Sequence, residues 1–291
     1  MADATQPPAA PLPAAGARQG PQSAAEKRRQ AERRRRHRIW LARAVLLVAI
    51  VAFWQAAAGR LISDFFIGKP TEIAETLYIW AASGKLFYHA GITSIEALLG
   101  FLLGSAIGMT FGVVLGRAQT LADVLDPFIM MFYSLPKIAL APMFILWFGI
   151  GIDMKIYLTA TIVFFLVFLN TYSGVRSVSR EQIAIMRLMG ANERDILRKV
   201  VIPSAITWVF NGLRLSVPYA LIGAIVGELI ASNKGLGYLL ADASGQFDTS
   251  GMFAALIAIM VLALALNVSV KFIERKAMPW KVVEDKREMS I

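Results

Sequence analysis

The sequence has no cysteine and only two histidines, His37 and His89. The absence of cysteine excludes disulfide bonds, a thiolate nucleophile and thiolate metal ligands. The sequence also lacks the HExxH motif of zinc proteases, the GxSxG motif of hydrolases and the GxxxxGK[ST] motif of nucleotide-binding loops. We therefore expect no catalytic residue, no metal and no cofactor, and we do not expect the chain itself to bind a nucleotide.

Charged residues are also scarce, at 17% of the 291 residues, whereas hydrophobic residues make up 57%. Soluble domains typically contain about 25% charged and about 45–50% apolar residues. The excess lies in six blocks, each near the length of about 20 residues that a helix needs to cross a bilayer. The blocks run roughly over 39–58, 92–115, 127–149, 154–172, 207–231 and 251–271. The sequence therefore predicts an all-α membrane protein with six transmembrane helices, of which the third, containing Pro136 and Pro142, is irregular.

Positive charge is unevenly distributed between the segments that connect these blocks. With the N-terminus in the cytoplasm, the cytoplasmic segments carry 21 Lys and Arg residues and the outer segments carry five. Such a positive-inside bias predicts that both termini are cytoplasmic. It also explains the basic cluster 27–38 as a topogenic flank, so the alternative of a nucleic-acid-binding arm is not needed and no nucleic acid is expected as a partner.

Composition divides the chain into three regions. Residues 1–38 form a basic cytoplasmic segment whose first part is poor in large apolar side chains, and we expect it to be disordered. The six-span domain covers 39–275, and 276–291 form a cytoplasmic tail.

Glycine recurs at every fourth position of the second block. A four-residue spacing places these side chains on one helix face, and small residues allow two helices to approach closely in a membrane. The sequence predicts tight helix packing at this face, and a face that slides during a conformational cycle is the alternative left open. The predicted packing residues are Gly100, Gly104, Gly108 and Gly112, with Gly116 continuing the series.

Polar residues inside the predicted spans are costly in hydrocarbon and usually face the interior of a helix bundle. Lys137 lies between two prolines, where freed backbone groups are tolerated only if they are buried in protein or line water. For each residue, a structural network such as an ion pair between spans is an equally weighted alternative to a transport role. The candidate translocation path consists of Ser134, Lys137, Asn170, Asn211, Arg214 and Glu228.

The loop 173–206 is too long for a simple connector. Its pattern predicts an amphipathic helix over 181–189, followed by a turn with positive φ at Gly190. Asn192 is predicted to cap a second short helix, which Pro203 is expected to end. Two short helices that meet at a glycine favour a docking element for another protein, with a helix lying on the membrane surface as the alternative.

This loop resembles the EAA loop of permeases of binding-protein-dependent ABC importers, because nine residues separate Gly190 from the sequence Val-Val-Ile-Pro at 200–203. The wider sequence is similar to the branch that includes nitrate, sulfonate and taurine permeases, over roughly residues 60–275. That similarity lies in the segments 136–142, 146–151, 170–174, 227–230 and 235–238. The EAA triplet falls on Ala184, Ile185 and Met186, without the glutamate of its first position; Glu181 lies one helical turn earlier.

The resemblance implies a homodimer of six-span subunits in the membrane lipid of a bacterial inner membrane. ABC ATPase subunits would bind at the EAA loops, and a periplasmic or extracytoplasmic binding protein would deliver the substrate. The chain would then be a transporter subunit and not an enzyme. Coupling to the ATPase would involve Ala184, Ile185, Met186, Gly190, Glu193, Arg194 and Pro203.

The resemblance indicates a small anion such as nitrate, a sulfonate or taurine as the transported solute. A thiamine-precursor pyrimidine or an aromatic acid is the alternative. From another class, a membrane-embedded enzyme or sensor subunit would use Glu96, Arg214 and Glu228 as its site. A secondary transporter is disfavoured because the sequence shows no two matched halves.

Overall fold

The computed structural model of the chain describes residues 21–277, and these are helical almost throughout. This confirms the predicted all-α fold. The helices are α1 (Pro21–Ala57), α2 (Asp64–Ile67), α3 (Pro70–Ala82), α4 (Lys85–Arg117), α5 (Gln119–Ser134), a 3-10 helix (Lys137–Leu140), α6 (Ala141–Phe148), α7 (Ile152–Arg176), α8 (Arg180–Leu188), α9 (Glu193–Ile196), a π-helix (Leu197–Val201), α10 (Ile202–Ala231), α11 (Leu236–Gly245) and α12 (Thr249–Ala277).

Five of these helical stretches are long and apolar enough to cross a membrane: α1 from Arg33 onwards, α4, α7, the continuous run that ends with α10, and α12. A sixth span arises if α5 is counted together with the segment Lys137–Phe148, to which it is bent by 82°. The break falls at Pro136, whose ring removes a helical hydrogen bond. The structure thus agrees with six spans of which the third is irregular.

Helix α1 begins well before the first apolar block. It starts at Pro21, a residue type that suits the first turn of a helix. Helix α1 thus includes residues 21–38 of the segment predicted to be disordered, where Arg, Lys, Gln and Ala have high intrinsic helix propensity. Residues 1–20 and nearly all of the predicted tail 276–291 lie outside the described part of the chain.

Helix α7 forms the centre of the packing in the unit that follows α1, with α4 on one side and α10 on the other. The glycine stripe of α4 faces α7 along its whole length. A β-carbon at Gly100 would lie 2.5 Å from Cβ of Thr159, and one at Gly112 would lie 2.6 Å from Cβ of Thr171. The predicted close packing is confirmed, whereas sliding along this face stays a prediction.

Helix α10 approaches the opposite side of α7 in the same way. A β-carbon at Gly223 would lie 2.9 Å from Cα of Thr159, and one at Gly227 would lie 2.8 Å from Cγ of Lys155. Thr159 is therefore enclosed between glycines of two helices. This close approach of three helices brings the polar side chains near the first turns of α7 into contact with both α4 and α10.

Candidate functional site

The short helix α8 has two distinct faces. Ser179 caps it by accepting a hydrogen bond from the backbone N–H of Gln182 at 3.3 Å. Ile183 and Met186 pack against a buried cluster formed by Val175, Val178, Ile196, Val201 and Ala205. This cluster holds α8 against the end of α7 and the start of the run leading into α10. The helix is thus anchored by its inner face.

The outer face of α8 is apolar but uncovered. The exposed fractions are 56% for Ile185, 89% for Leu188 and 77% for Met189, and Ala184 is exposed beside them. Exposed apolar side chains at i, i+3 and i+4 form one continuous helix surface. Such a patch is typical of a protein or membrane interaction site. Of the EAA triplet, Ala184 and Ile185 lie on this surface, whereas Met186 is part of the inner packing.

Gly190 ends α8 in the predicted left-handed conformation, with φ of +81°. The N–H of Ala191 donates to the carbonyl of Met186 and the N–H of Gly190 donates to that of Arg187, both at 3.0 Å. This is the Schellman arrangement of a helix C-terminus. A β-carbon at Gly190 would meet nothing within 4 Å. The glycine is therefore required for its backbone angle and not for space.

Glu193 connects the second short helix to two other elements. Its carboxylate forms ion pairs with Arg117 at the end of α4 and, at 3.0 Å, with Arg187 of α8. Asn192 caps α9 as predicted, since its side chain accepts the N–H of Asp195 at 2.9 Å. Arg194 lies exposed in the same turn. No pattern in the sequence pointed to Arg117, because the contact joins residues 76 positions apart.

The sequence predicted that Pro203 ends the second short helix, and this prediction is wrong. The chain runs from α9 through the π-helix into α10, where Pro203 lies in the first turn. A proline inside an α-helix clashes with the carbonyl four residues earlier and cannot donate to it. The wider turns of the π-helix immediately before Pro203 relieve this conflict. The coupling loop and the fifth predicted span therefore form one continuous helical run.

The candidate path residues Ser134 and Lys137 lie on either side of the break in the bent span. Ser134 donates to the carbonyl of Met130 at 2.8 Å within its own helix. Lys137 Nζ donates to the carbonyl of Tyr133 and lies 4.7 Å from the ring centroids of both Tyr133 and Phe165. The side chain is half-buried. Its ammonium group is stabilised by the Tyr133 carbonyl beside the helix break and by two aromatic faces.

The other candidate path residues separate into three places. Asn211 donates to Asn170 Oδ1 at 3.2 Å, which links α10 to α7 on a surface where Asn211 is exposed. Arg214 instead forms an ion pair with the buried Glu274 of α12. Glu228 lies at the other end of α10. The structure therefore brings Asn170 and Asn211 together and places Arg214 and Glu228 in ion-pair and hydrogen-bond networks.

Glu228 belongs to a buried network that joins α4, α10 and α11. It is 1% exposed, and its carboxylate accepts from the hydroxyl of Thr93 at 2.7 Å and from the N–H of Gly237 at 2.6 Å. The N–H of Leu236 donates to Thr93 Oγ1 at 2.8 Å, and the N–H of Gly235 donates to Nδ1 of His89 at 2.9 Å. These bonds fix the turn between α10 and α11 to the first turns of α4.

A buried ion pair lies beside this network. Lys155 Nζ of α7 is 2.7 Å from Glu96 Oε1 of α4 and donates to Ser232 Oγ at 2.8 Å. Lys155 is 5% exposed and Glu96 is 1% exposed. The sequence predicted that polar groups within the spans form either a network or a path, and Glu96 and Arg214 both have an ion-pair partner on another helix. Lys155 was not identified, because it lies at the edge of an apolar block.

Residues 100–278 match the protein family described as binding-protein-dependent transport system inner membrane component. A Bacillus subtilis protein named as an aliphatic sulfonates transport permease is 34% identical over 90% of this chain and 95% of its own length. A formylaminopyrimidine transport permease from Halalkalibacterium halodurans is 29% identical over 81% of this chain and 94% of its own length. The chain therefore belongs to this family of ABC importer permeases, in the branch of the sulfonate and taurine permeases.

The fold agrees with this membership. A chain of an inward-facing methionine ABC transporter superposes with a TM-score of 0.55 at 18% identity, over 68% of this chain and 97% of that chain. The protein is thus a multi-pass membrane permease subunit that works with ATPase and substrate-binding components. It is a transporter subunit and not an enzyme, which overturns the alternative of a membrane-embedded enzyme.

Proposed function

We propose that two copies of this chain form the translocation path of a bacterial inner-membrane importer for a small anion, such as a sulfonate, taurine or nitrate. The observation that carries the proposal is that the chain itself leaves polar side chains at two places on the spans only partly covered. Lys137 is half-buried, Asn170 is half-buried and Asn211 is exposed, all within segments that are otherwise apolar. Charged and amide side chains that face lipid are costly. A second copy packed against these side chains would cover them and enclose a polar path.

Lys137 supports an anion as the transported solute. Among the candidate path residues it supplies a positive charge that no carboxylate neutralises in the described part of the chain. Its ammonium group is held at the break of the bent span, where irregular backbone is tolerated if it lines a cavity. A fixed cation in a low-dielectric path attracts an anion more strongly than it would in water.

The outer face of α8 supports coupling to an ATPase subunit on the cytoplasmic side. Ile185, Leu188 and Met189 offer an apolar surface, while the Schellman turn at Gly190 fixes the angle between α8 and α9. Movement of a bound ATPase would be transmitted to α10 through the continuous run from Glu193. A rigid body of packed helices can transmit such a displacement to the spans.

A formylaminopyrimidine or another aromatic solute is the second candidate substrate. It is favoured by the formylaminopyrimidine permease relative and by the rings of Tyr133 and Phe165 beside Lys137. The sulfonate relative matches 90% of the chain and the formylaminopyrimidine relative 81%, so we favour an anion.

The test compares uptake by cells that express the complete importer. Lys137→Gln should reduce uptake of an aliphatic sulfonate or taurine by about tenfold, the effect of losing one charge-assisted contact, while Lys137→Arg should retain it. Lys85→Gln is the matched control, because Lys85 also lies over an aromatic ring, that of Trp80, at 5.2 Å. Full anion uptake by Lys137→Gln, or uptake of formylaminopyrimidine alone, would contradict the anion assignment.

A further inference from the structure

A basic cavity lies between the short helices of the coupling loop and the ends of α4 and α7. Its volume is about 250 Å³. Its floor is apolar and includes the buried side chains of Val175, Val178 and Ile196. Its walls carry four guanidinium groups, those of Arg117, Arg176, Arg180 and Arg187, and the carboxylate of Glu193.

The ion pairs around this cavity leave positive charge in excess. Glu193 is shared between Arg117 and Arg187. Arg176 donates to the Tyr172 hydroxyl at 2.7 Å and lies 3.6 Å from Asp123, a largely exposed carboxylate.

Arg180 is exposed and forms no salt bridge within the described residues 21–277; its acidic neighbour in the chain is Glu181, whose carboxylate accepts from the Ser179 hydroxyl. The four guanidinium groups therefore share two ion-paired carboxylates, Glu193 and the largely exposed Asp123, and positive charge is in excess at the cavity. A further anion at the cavity would reduce this excess.

We propose that this cavity binds a tetrahedral oxyanion, namely a phosphate, sulfate or sulfonate group. Guanidinium groups present planar pairs of N–H donors that match such oxygens better than an ammonium group does. The oxyanion is either free in solution or the phosphate of an anionic lipid headgroup at the membrane surface.

Occupancy of this cavity is linked to the position of the coupling loop. An oxyanion held by Arg176 and Arg180 joins the end of α7 to the start of α8. It also competes with Glu193 for Arg187 and Arg117, which join the loop to the end of α4. The bound anion therefore acts on the same ion pairs that hold the short helices against the spans. This inference does not depend on which solute the importer carries.

The experiment uses the complete importer in phosphatidylcholine nanodiscs, with sodium sulfate titrated against sodium chloride at constant ionic strength. A ligand that binds the folded state raises the unfolding temperature in a saturable way. We expect this rise for the wild type and a roughly tenfold weaker apparent affinity for Arg180→Gln. Arg198→Gln is the matched control, because Arg198 is an exposed arginine of the same loop that does not line the cavity.

A second arm identifies the source of the oxyanion. If the cavity binds a lipid phosphate, the wild type and Arg198→Gln should unfold at a higher temperature in phosphatidylglycerol than in phosphatidylcholine nanodiscs. Sulfate should then have no further effect in phosphatidylglycerol. Arg180→Gln should lose the rise caused by the lipid. A sulfate response that persists in both lipids identifies a free oxyanion. The absence of a saturable sulfate response in phosphatidylcholine nanodiscs, together with no rise in unfolding temperature in phosphatidylglycerol, would overturn the proposal, as would equal losses in Arg180→Gln and Arg198→Gln.

Discussion

Gly190 shows how one backbone angle determines the geometry of the coupling loop. Its φ of +81° permits the two hydrogen bonds that end α8, and the space around it is empty. A residue with a β-carbon in this conformation costs on the order of 1 kcal/mol. A variant at position 190 that avoids this cost by adopting another backbone angle must rotate α9 relative to α8.

We expect Gly190→Ala to weaken the coupling of ATP hydrolysis to uptake while membrane insertion stays normal. The control is Gly84→Ala, since Gly84 has φ of +76° and also has nothing within 4 Å of its would-be β-carbon. Both variants should lose about 1 kcal/mol of stability. Loaded binding protein should fail to stimulate ATP hydrolysis only in the importer complex that carries Gly190→Ala. Equal stimulation in the two variants would contradict the coupling role of this turn.

Lys155 and Glu96 are the second residue-scale case. Removing one partner of a buried ion pair leaves an uncompensated charge and destabilises a protein by about 3–5 kcal/mol. Lys155→Met should therefore greatly lower the thermal stability of the purified protein. Combining it with Glu96→Leu should recover much of the loss, because both charges are then absent. If the double variant is no more stable than Lys155→Met, the uncompensated charge of Glu96, 2.7 Å from Lys155 in the wild type, is not the cause of the lost stability.

At the scale of elements, the glycine stripe determines how closely α4 can approach α7. A β-carbon at Gly108 would lie 2.8 Å from the carbonyl oxygen of Phe164, which belongs to the backbone and cannot rotate away. Gly108→Leu should separate the two helices and reduce the yield of folded protein several-fold, by analogy with overpacked cores that lose about 1–3 kcal/mol.

The matched control for Gly108→Leu is Val114→Leu, because Val114 lies on the same helix and is 54% exposed. Its yield and its size-exclusion profile should equal those of the wild type. Comparable yields from both variants would show that the α4–α7 contact does not require glycine.

At the scale of the whole molecule, charge distribution predicts the orientation in the membrane. The chain has no cysteine, so single cysteines can be introduced without a background. In intact cells, an impermeant thiol reagent should label Gln246→Cys, in the outer turn after α11, and should not label Arg198→Cys in the coupling loop. Both positions are exposed, and both should react after permeabilisation. The reverse labelling pattern in intact cells would invert the topology.

The sequence by itself determined the features that depend on neighbours a few positions away. The spans follow from long apolar blocks, the α4 stripe from a four-residue period, and the loop turn from Gly190 and the cap at Asn192. Each is a local property of a helix or its ends, because helical hydrogen bonds and face periodicity involve residues within about one turn. The resemblance to importer permeases also rested on such local motifs.

Only the tertiary structure decided which polar groups meet. Lys155 and Glu96 are 59 positions apart and Arg117 and Glu193 are 76 apart, so their contacts depend on the order and rotation of packed helices. The course of the chain past Pro203 likewise depends on the anchoring of Ile196 and Val201 in the buried cluster, which favours a continuous widened helix over the break that proline alone predicts. Local rules fix where helices begin and end, whereas burial of their faces fixes their partners.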